Sequence, residues 1–115
     1  MKKKTMDDQL FVLHAEVCKS MANPTRLKIL NALQNGEQSV DAMARLLHLR
    51  KANLSQHLAV LRQRRIVATR RDGLNIYYRC ANPKMLRACE ILREVLLEQL
   101  REGGALVDRA ARGRK

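Results

Sequence analysis

The stretch from Arg50 to Arg65, RKANLSQHLAVLRQRR, constrains this chain more than any other. Leu54, Leu58 and Leu61 recur at spacings of four and three, which predicts a helix with one apolar stripe turned to a core. Asn53, Ser55, Gln56, His57 and Arg62 lie off that stripe and carry groups that hydrogen-bond base edges or phosphate oxygens. No acid occurs between Asp41 and Asp72, whereas Arg45, Arg50, Lys51, Arg62, Arg64, Arg65, Arg70 and Arg71 are all basic. Cations massed in this way repel one another unless a polyanion sits opposite. A solvated helix face is the plain alternative, and the flanking elements decide against it: this is expected to be a helix that reads DNA.

The segments before it predict three further helices. From about Asp7 to Met21, the residues Leu10, Leu13, His14, Val17, Cys18 and Met21 fall at helical steps and make an apolar face. Asn23-Pro24 is a cap followed by a first-turn proline, and the second helix runs from there to about Gln34, with Leu27, Ile29, Leu30 and Leu33 turned inward. Asn35-Gly36 is read as its left-handed stop. Ser39 caps a third helix with Val40, Met43, Ala44 and Leu47 on its inner side, and His48-Leu49 turns into the central helix. Two short amphipathic helices joined by a tight turn make a helix-turn-helix, whose second member enters the major groove.

After Arg65 the period changes to that of strands. Ile66-Val67-Ala68-Thr69 and Leu74 to Arg79 are rich in β-branched and aromatic residues, with Asp72-Gly73 as the hairpin turn. Tyr77 and Tyr78 alternate, so one is expected inward and the other outward. A basic β-ribbon beside a helix-turn-helix is a winged helix, with Arg70, Arg71 and Asn75 placed to touch DNA backbone or minor groove. Asn82-Pro83 repeats the cap-plus-proline signal and opens a last helix, which Gly103-Gly104 stops. Along it Met85, Cys89, Leu92, Leu96 and Leu100 form a narrow seam, and Glu90, Glu94, Glu98 and Glu102 line another side. The expected architecture is mainly α with a small β-hairpin, in the order α-α-α-α-β-β-α. It is one domain over residues 1–115, paired as a homodimer through Leu10 and Val17 of the first helix and Met85, Leu92, Leu96 and Leu100 of the last.

Composition narrows the partner. The net charge is +12, and removing the seven cations of the basic tails (about 1–6 and 105–115: Lys2, Lys3, Lys4, Arg109, Arg112, Arg114, Lys115) leaves 16 cations against 11 acids. The tails suit non-specific phosphate attraction; the centre has the geometry to read sequence. No signal peptide and no bilayer-spanning run of apolar residues is evident, and three cysteines are an odd number without disulfide density, so a reducing cytoplasm is expected and no membrane partner. No glycine-rich phosphate loop, metal-protease string or nucleophile elbow speaks for an enzyme. A constitutive DNA-packaging protein needs only cations, and the polar Asn53, Ser55, Gln56 and His57 argue against that alternative.

The order of elements and the strings NPTRLKIL, LSQHLAVLRQRR, VATRRDG and IYYR resemble the ArsR/SmtB family of bacterial winged-helix repressors over roughly residues 10–100. The resemblance implies a homodimer on an imperfect palindrome of double-stranded operator DNA, released in many members when a metal, arsenite or a sulfur oxidant reaches a regulatory site. Three such sites of the family are not matched here. A Cys-Val-Cys string of metal-binding members corresponds to Ser39-Val40-Asp41. The zinc-sensing positions correspond to Asn82, Lys84, Val95 and Glu98, and the persulfide-sensing cysteines to Asn31 and about Leu97.

What remains for an inducer is thiol chemistry at Cys18 and Cys89, with Cys80 as a third candidate. Thiolates suit a soft metal or metalloid ion, or a reactive sulfur species. In the family fold the first and last helices meet at the dimer interface, which places the two thiols near it. Plain packing is the alternative, since free cysteine is among the most buried residue types. An ArsR-like regulator without any metal or thiol ligand therefore stays open as the second reading. His14 and His48 have no second ligand at metal spacing.

Overall fold

The computed structural model describes residues 5–103, so the basic tails lie outside it apart from Thr5 and Met6. Those residues form α1 (Met6–Met21), α2 (Pro24–Ala32), β1 (Gln38–Ser39), α3 (Val40–Leu47), α4 (Lys51–Gln63), β2 (Val67–Asp72), β3 (Asn75–Cys80) and α5 (Pro83–Gly103). They fall into two compact units, one ending at Pro83 and the other beginning at Lys84.

Side-chain caps start the first three helices. Thr5 and Asp8 form a reciprocal capping box at α1, with the Asp8 N–H donating to Thr5 Oγ1 at 3.1 Å and the Thr5 N–H donating to Asp8 Oδ2 at 3.2 Å. Asn23 Oδ1 accepts from the Thr25 and Arg26 N–H groups at 2.9 and 3.2 Å, ahead of Pro24. Ser39 Oγ accepts from the Ala42 N–H at 3.1 Å, as its position before the third apolar stripe predicts.

The core of the first unit gathers around α4. Leu54, Leu58 and Leu61 are fully buried together with Ile29, Met43 and Ile66, and Leu30, Leu33 and Val67 are nearly so. α4 packs on α2, α3 and β2 and touches α1. Burying three leucine side chains removes apolar surface worth about 1.5–3 kcal/mol each from water, which fixes which way the opposite face of α4 must point. Around this core the sheet has the order β1-β3-β2, all antiparallel, with Gln38 opposite Tyr78 and Ser39 opposite Tyr77 on one side and Arg70 opposite Tyr77 on the other.

Several expectations are corrected. The hairpin is part of a three-stranded sheet, because Gln38-Ser39 adds a two-residue strand that has no periodicity of its own and exists only through pairing with β3. The second helix stops at Ala32 rather than Gln34, its end closed by the Leu33 N–H donating back to Ile29 and Leu30 carbonyls. The two turn residues of the wing are Gly73-Leu74, since Asp72 already pairs with Asn75; Gly73 alone has positive φ there, +62°, as a type II′ turn asks of its first central residue. Leu27, expected inward, is exposed, and both Tyr77 and Tyr78 are half-buried rather than one in and one out. Leu10 and Leu13 of α1 are more than half exposed, and Ser20 is that helix's one buried residue. α5 buries none; Ile91, Leu92, Val95, Leu96 and Leu97 are exposed.

Both helices of the helix-turn-helix close in the same strained way. The Leu49 and His48 N–H groups reach back to the Ala44 and Arg45 carbonyls, and the Ile66 and Arg65 N–H groups to those of Leu61 and Arg62. This closure puts one residue in the left-handed region: His48 has φ 55° and Arg65 φ 58°. A side chain there costs about 1–2 kcal/mol, which glycine avoids while adding about 0.5–1 kcal/mol of unfolded-chain entropy. Arg65→Gly is therefore expected to raise stability by about 0.5–1 kcal/mol and Arg65→Ala to leave it near wild type. Urea unfolding midpoints check this; equal midpoints for the two variants would remove strain as the reason.

Candidate nucleic-acid interface

With its leucine stripe buried, α4 presents Arg50, Lys51, Asn53, Ser55, Gln56, Ala59, Arg62 and Gln63 to solvent. Arg50 stands at the capping position with extended backbone and makes no side-chain cap, so the first-turn N–H groups of α4 have no side-chain acceptor of that kind. Those N–H groups, the helix dipole and two adjacent cations make this end of α4 suited to a phosphate. His57 does not share the front. It is half-buried, and its Nδ1 accepts a hydrogen bond at 3.2 Å from Nε of Arg26, which donates through Nη1 to the Ser20 carbonyl at 3.1 Å. The base-edge role expected for His57 therefore meets a competing partner on α2, and the contact reads as one that orients α4.

The cations of the central run are not all uncompensated, because acids outside the run reach them. Lys51 Nζ lies 2.6 Å from Asp41 Oδ1, Arg64 Nη1 lies 3.0 Å from Glu16 Oε2, and Arg70 is bound by Glu37 with Asp72 at 3.9 Å. Arg45, Arg50, Arg62, Arg65 and Arg71 make no salt bridge with a described residue, and all five are exposed. Arg70 and Arg71 thus differ although adjacent: the pleat sends them to opposite faces of the wing, and only Arg70 meets an acid. At the wing tip Leu74 is fully exposed beside the exposed Asn75. Glu37, Asp41 and Arg26 shape the site although the sequence alone gives them no role there, and it places Tyr77 only as a strand residue. Asp41 stands in the first turn of α3, and nothing local marks its partner.

The pairing depresses both acids. The Arg70 hydrogen bond foremost holds the Glu37 carboxyl below its ordinary range, and that of Lys51 does the same for Asp41; Arg70 in turn is raised, chiefly by Glu37. A carboxylate with a lowered folded-state pKa contributes stability that is in place above its unfolded value and is lost as pH falls through the folded one. Both pairs are accordingly formed at neutral pH and open only in acid.

The thiols are dispersed along the chain. Cys18 is exposed on α1, Cys80 is half-buried and donates to the Asn82 carbonyl at 3.3 Å, and Cys89 is half-buried on α5. Among the described residues, no three His, Cys, Asp or Glu side chains cluster to hold a metal ion. No helix among them is long and apolar enough to cross a membrane.

Comparison with known proteins gives this geometry a context. Residues 23–69 match the model of the bacterial regulatory protein arsR family. The HTH-type transcriptional regulator Rv0081 of Mycobacterium tuberculosis is 37% identical over 109 residues, covering 85% of this chain and 96% of that protein. Its crystal structure superposes with a TM-score of 0.71 over 88% of this chain and 96% of that one. The homodimeric winged helix-turn-helix domain of Mb0332 from Mycobacterium bovis gives a TM-score of 0.77 at 32% identity, over 87% of this chain and 94% of that one. The transcriptional repressor PagR of Bacillus anthracis is 37% identical over 82 residues, 70% of this chain and 82% of that protein.

The Lys51–Asp41 pair is a single contact between two exposed side chains. Such a pair is worth little in water and gives way readily to a phosphate. Asp41→Asn is therefore expected to tighten binding to any duplex about two- to fivefold, with a salt slope steeper by about one unit. Titration of fluorescent duplexes across salt concentrations measures both, and weaker binding by Asp41→Asn would show that the pair holds Lys51 in its working position instead.

Proposed function

Because the chain belongs to the arsR family of bacterial regulatory proteins, we propose that it is a homodimeric transcriptional repressor reading an imperfect palindrome in double-stranded DNA. The observation that carries this reading is the two-sidedness of α4, whose Leu54, Leu58 and Leu61 are fully buried while Ser55, Gln56 and Arg62 are exposed. In this reading Asn53, Ser55, Gln56 and Arg62 face base edges in the major groove. Arg50, Lys51 and Arg71 contact phosphates, and Asn75 follows at the wing. The protein acts by occupying DNA and not by turnover. The exposed apolar residues of α1 and of α5 support a dimer that covers both faces, in keeping with the homodimeric form described for Mb0332. A dimer presents two reading helices, which must meet successive major grooves about 34 Å apart. Repression is the direction named for PagR.

Duplexes selected by the protein from a randomised pool, set against random DNA, test the reading. Gln56→Ala is expected to cost about 1–3 kcal/mol on the selected duplex and to relax one base position. Leu92→Glu is expected to sediment as a monomer and to lose selective binding. Unchanged discrimination by Gln56→Ala would take base reading away from that residue, and a stable wild-type monomer at micromolar concentration would overturn the dimer.

The finer part of the proposal is the inducer: a soft metal or metalloid ion, or a reactive sulfur species, acting at Cys18 and Cys89, with Cys80 the weaker third thiol. Its support is positional, since Cys18 lies exposed on α1 and Cys89 lies on α5, the two helices through which the dimer is proposed. A new bond there resets one subunit against the other. A coupling of about 1–3 kcal/mol, within reach of one differential bond, suffices for a useful response. Either arsenite or polysulfide is expected to lower operator affinity of the wild type, and Cys18→Ser and Cys89→Ser to lose that response. Full response in both variants would leave the thiols with packing alone.

A further inference from the structure

Resting on the operator-reading proposal and going beyond it, we propose that Glu37 and Arg70 form a clamp that sets the wing against α3. This makes Arg70 a positioning residue and leaves phosphate contact on the wing to Arg71. The Glu37 carboxylate accepts three hydrogen bonds from one guanidinium: Arg70 Nε donates to Oε1 at 3.2 Å and to Oε2 at 3.1 Å, and Nη2 donates to Oε1 at 2.6 Å. The same guanidinium lies over the Tyr77 ring, 4.7 Å from its centroid. Tyr77 is the cross-strand partner of Arg70 in β2–β3 and of Ser39 in β1–β3, and Ser39 caps α3.

The contacts therefore close a ring. Glu37 immediately precedes β1; β1 is bonded to β3; Tyr77 of β3 supports Arg70; and Arg70 returns to Glu37. A two-residue strand offers few backbone bonds to hold the wing beside α3, and the ion pair adds a side-chain tie at that seam. A fork-to-carboxylate pair with the cation also stacked is directional in a way that a lysine ammonium is not. A DNA phosphate would have to compete with the Glu37 carboxylate already bound to this guanidinium. Arg71, on the other face of the strand, is exposed and has no such acid. The Lys51–Asp41 pair is the contrast: one contact, no stack, and a cation free to change partner.

The two roles for Arg70 predict opposite outcomes. Wild type, Glu37→Ala, Arg70→Lys and the double variant are titrated over a range of salt concentrations with duplexes that the wild type selects from a randomised pool and with random duplexes. Thermal melting of each protein establishes that it is folded. Under the clamp, Glu37→Ala and Arg70→Lys each lower discrimination about fivefold, and the double variant is no worse than either. Arg70→Lys keeps the wild-type salt slope while losing selectivity. If Arg70 is instead a phosphate ligand, Arg70→Lys binds like wild type and Glu37→Ala tightens binding to the selected duplex by freeing the cation; either result overturns the clamp. Additive losses in the double variant also overturn it. Failure of the wild type to select any duplex over random DNA would sink the operator-reading proposal, an outcome separate from all of these.

Discussion

Burial of one face of α4 is the constraint on which the rest depends. Leu54, Leu58 and Leu61 are closed off from water among Ile29, Met43, Ile66 and Val67, side chains drawn from α2, α3 and the start of the wing. Rotating α4 by one residue would expose a leucine and bury a polar or charged group without a partner, and both changes cost several kcal/mol. The front of the helix is thus set by its back. Polar groups held to a fixed heading on a rigid helix are what reading a base edge requires, because the donor and acceptor pattern of a base pair is directional.

Electrostatics then divides the surface into cations that are held and cations that are available. Acids in the short segment Glu37–Asp41 take one cation from the wing and one from the start of the reading helix, while Glu16 takes Arg64 at the helix end. The same segment supplies β1 and the cap of α3. Five residues therefore meet the wing, the helix before the turn and the reading helix at once. Self-repulsion among the eight central cations is relieved in part before any polyanion arrives, which makes the free chain more tolerable than its local sequence suggests. In the proposed complex this would weaken the general attraction for DNA and leave a larger share of affinity to contacts that depend on fit.

Legibility followed range. The α4 stripe was plain in the sequence because a 3.6-residue period over thirteen residues is a strong signal, and Asn23-Pro24 and Ser39 marked their helix starts because caps act within three residues. β1 was not legible: two residues have no period, and the strand forms only because β3 lies alongside. The Asp-Gly pair puts the wing turn one residue early, because it is a common turn signal and only the register shows Gly73 in first central position. The contacts of His57 and Arg70 are hidden from sequence for another reason. Their partners Arg26 and Glu37 lie 31 and 33 residues away, and a charge run read locally counts no acid beyond its own ends. The α1 and α5 stripes were readable as apolar, but whether a single chain covers them is a property of packing; most of their large side chains are exposed here.

The same long-range contacts bear on how the proposed inducer would act on α4. Two ties join the second half of α1 to α4: Glu16 pairs with Arg64, and the Ser20 carbonyl holds Arg26, which holds His57. Cys18 lies between Glu16 and Ser20 in the chain, so chemistry at that thiol falls within the turn that carries both ties. Arg26 is half-buried and divides its donors between the two helices, so a shift of the Ser20 carbonyl must be met by a movement of the guanidinium or a lengthened bond to His57. Packed elements of this kind do not deform continuously; they hold one arrangement until another becomes the better one. Under the proposed thiol mechanism, chemistry at Cys18 would have a route to α4 within one subunit, separate from any change in how two subunits face each other. The two routes would act with the same sign only if the shift that breaks the α1 tie also turns α4 away from its groove heading. His57 sits on the flank of α4 that meets Arg26 of α2, so loss of that bond removes one tie on α4 while the buried leucine stripe still holds its heading.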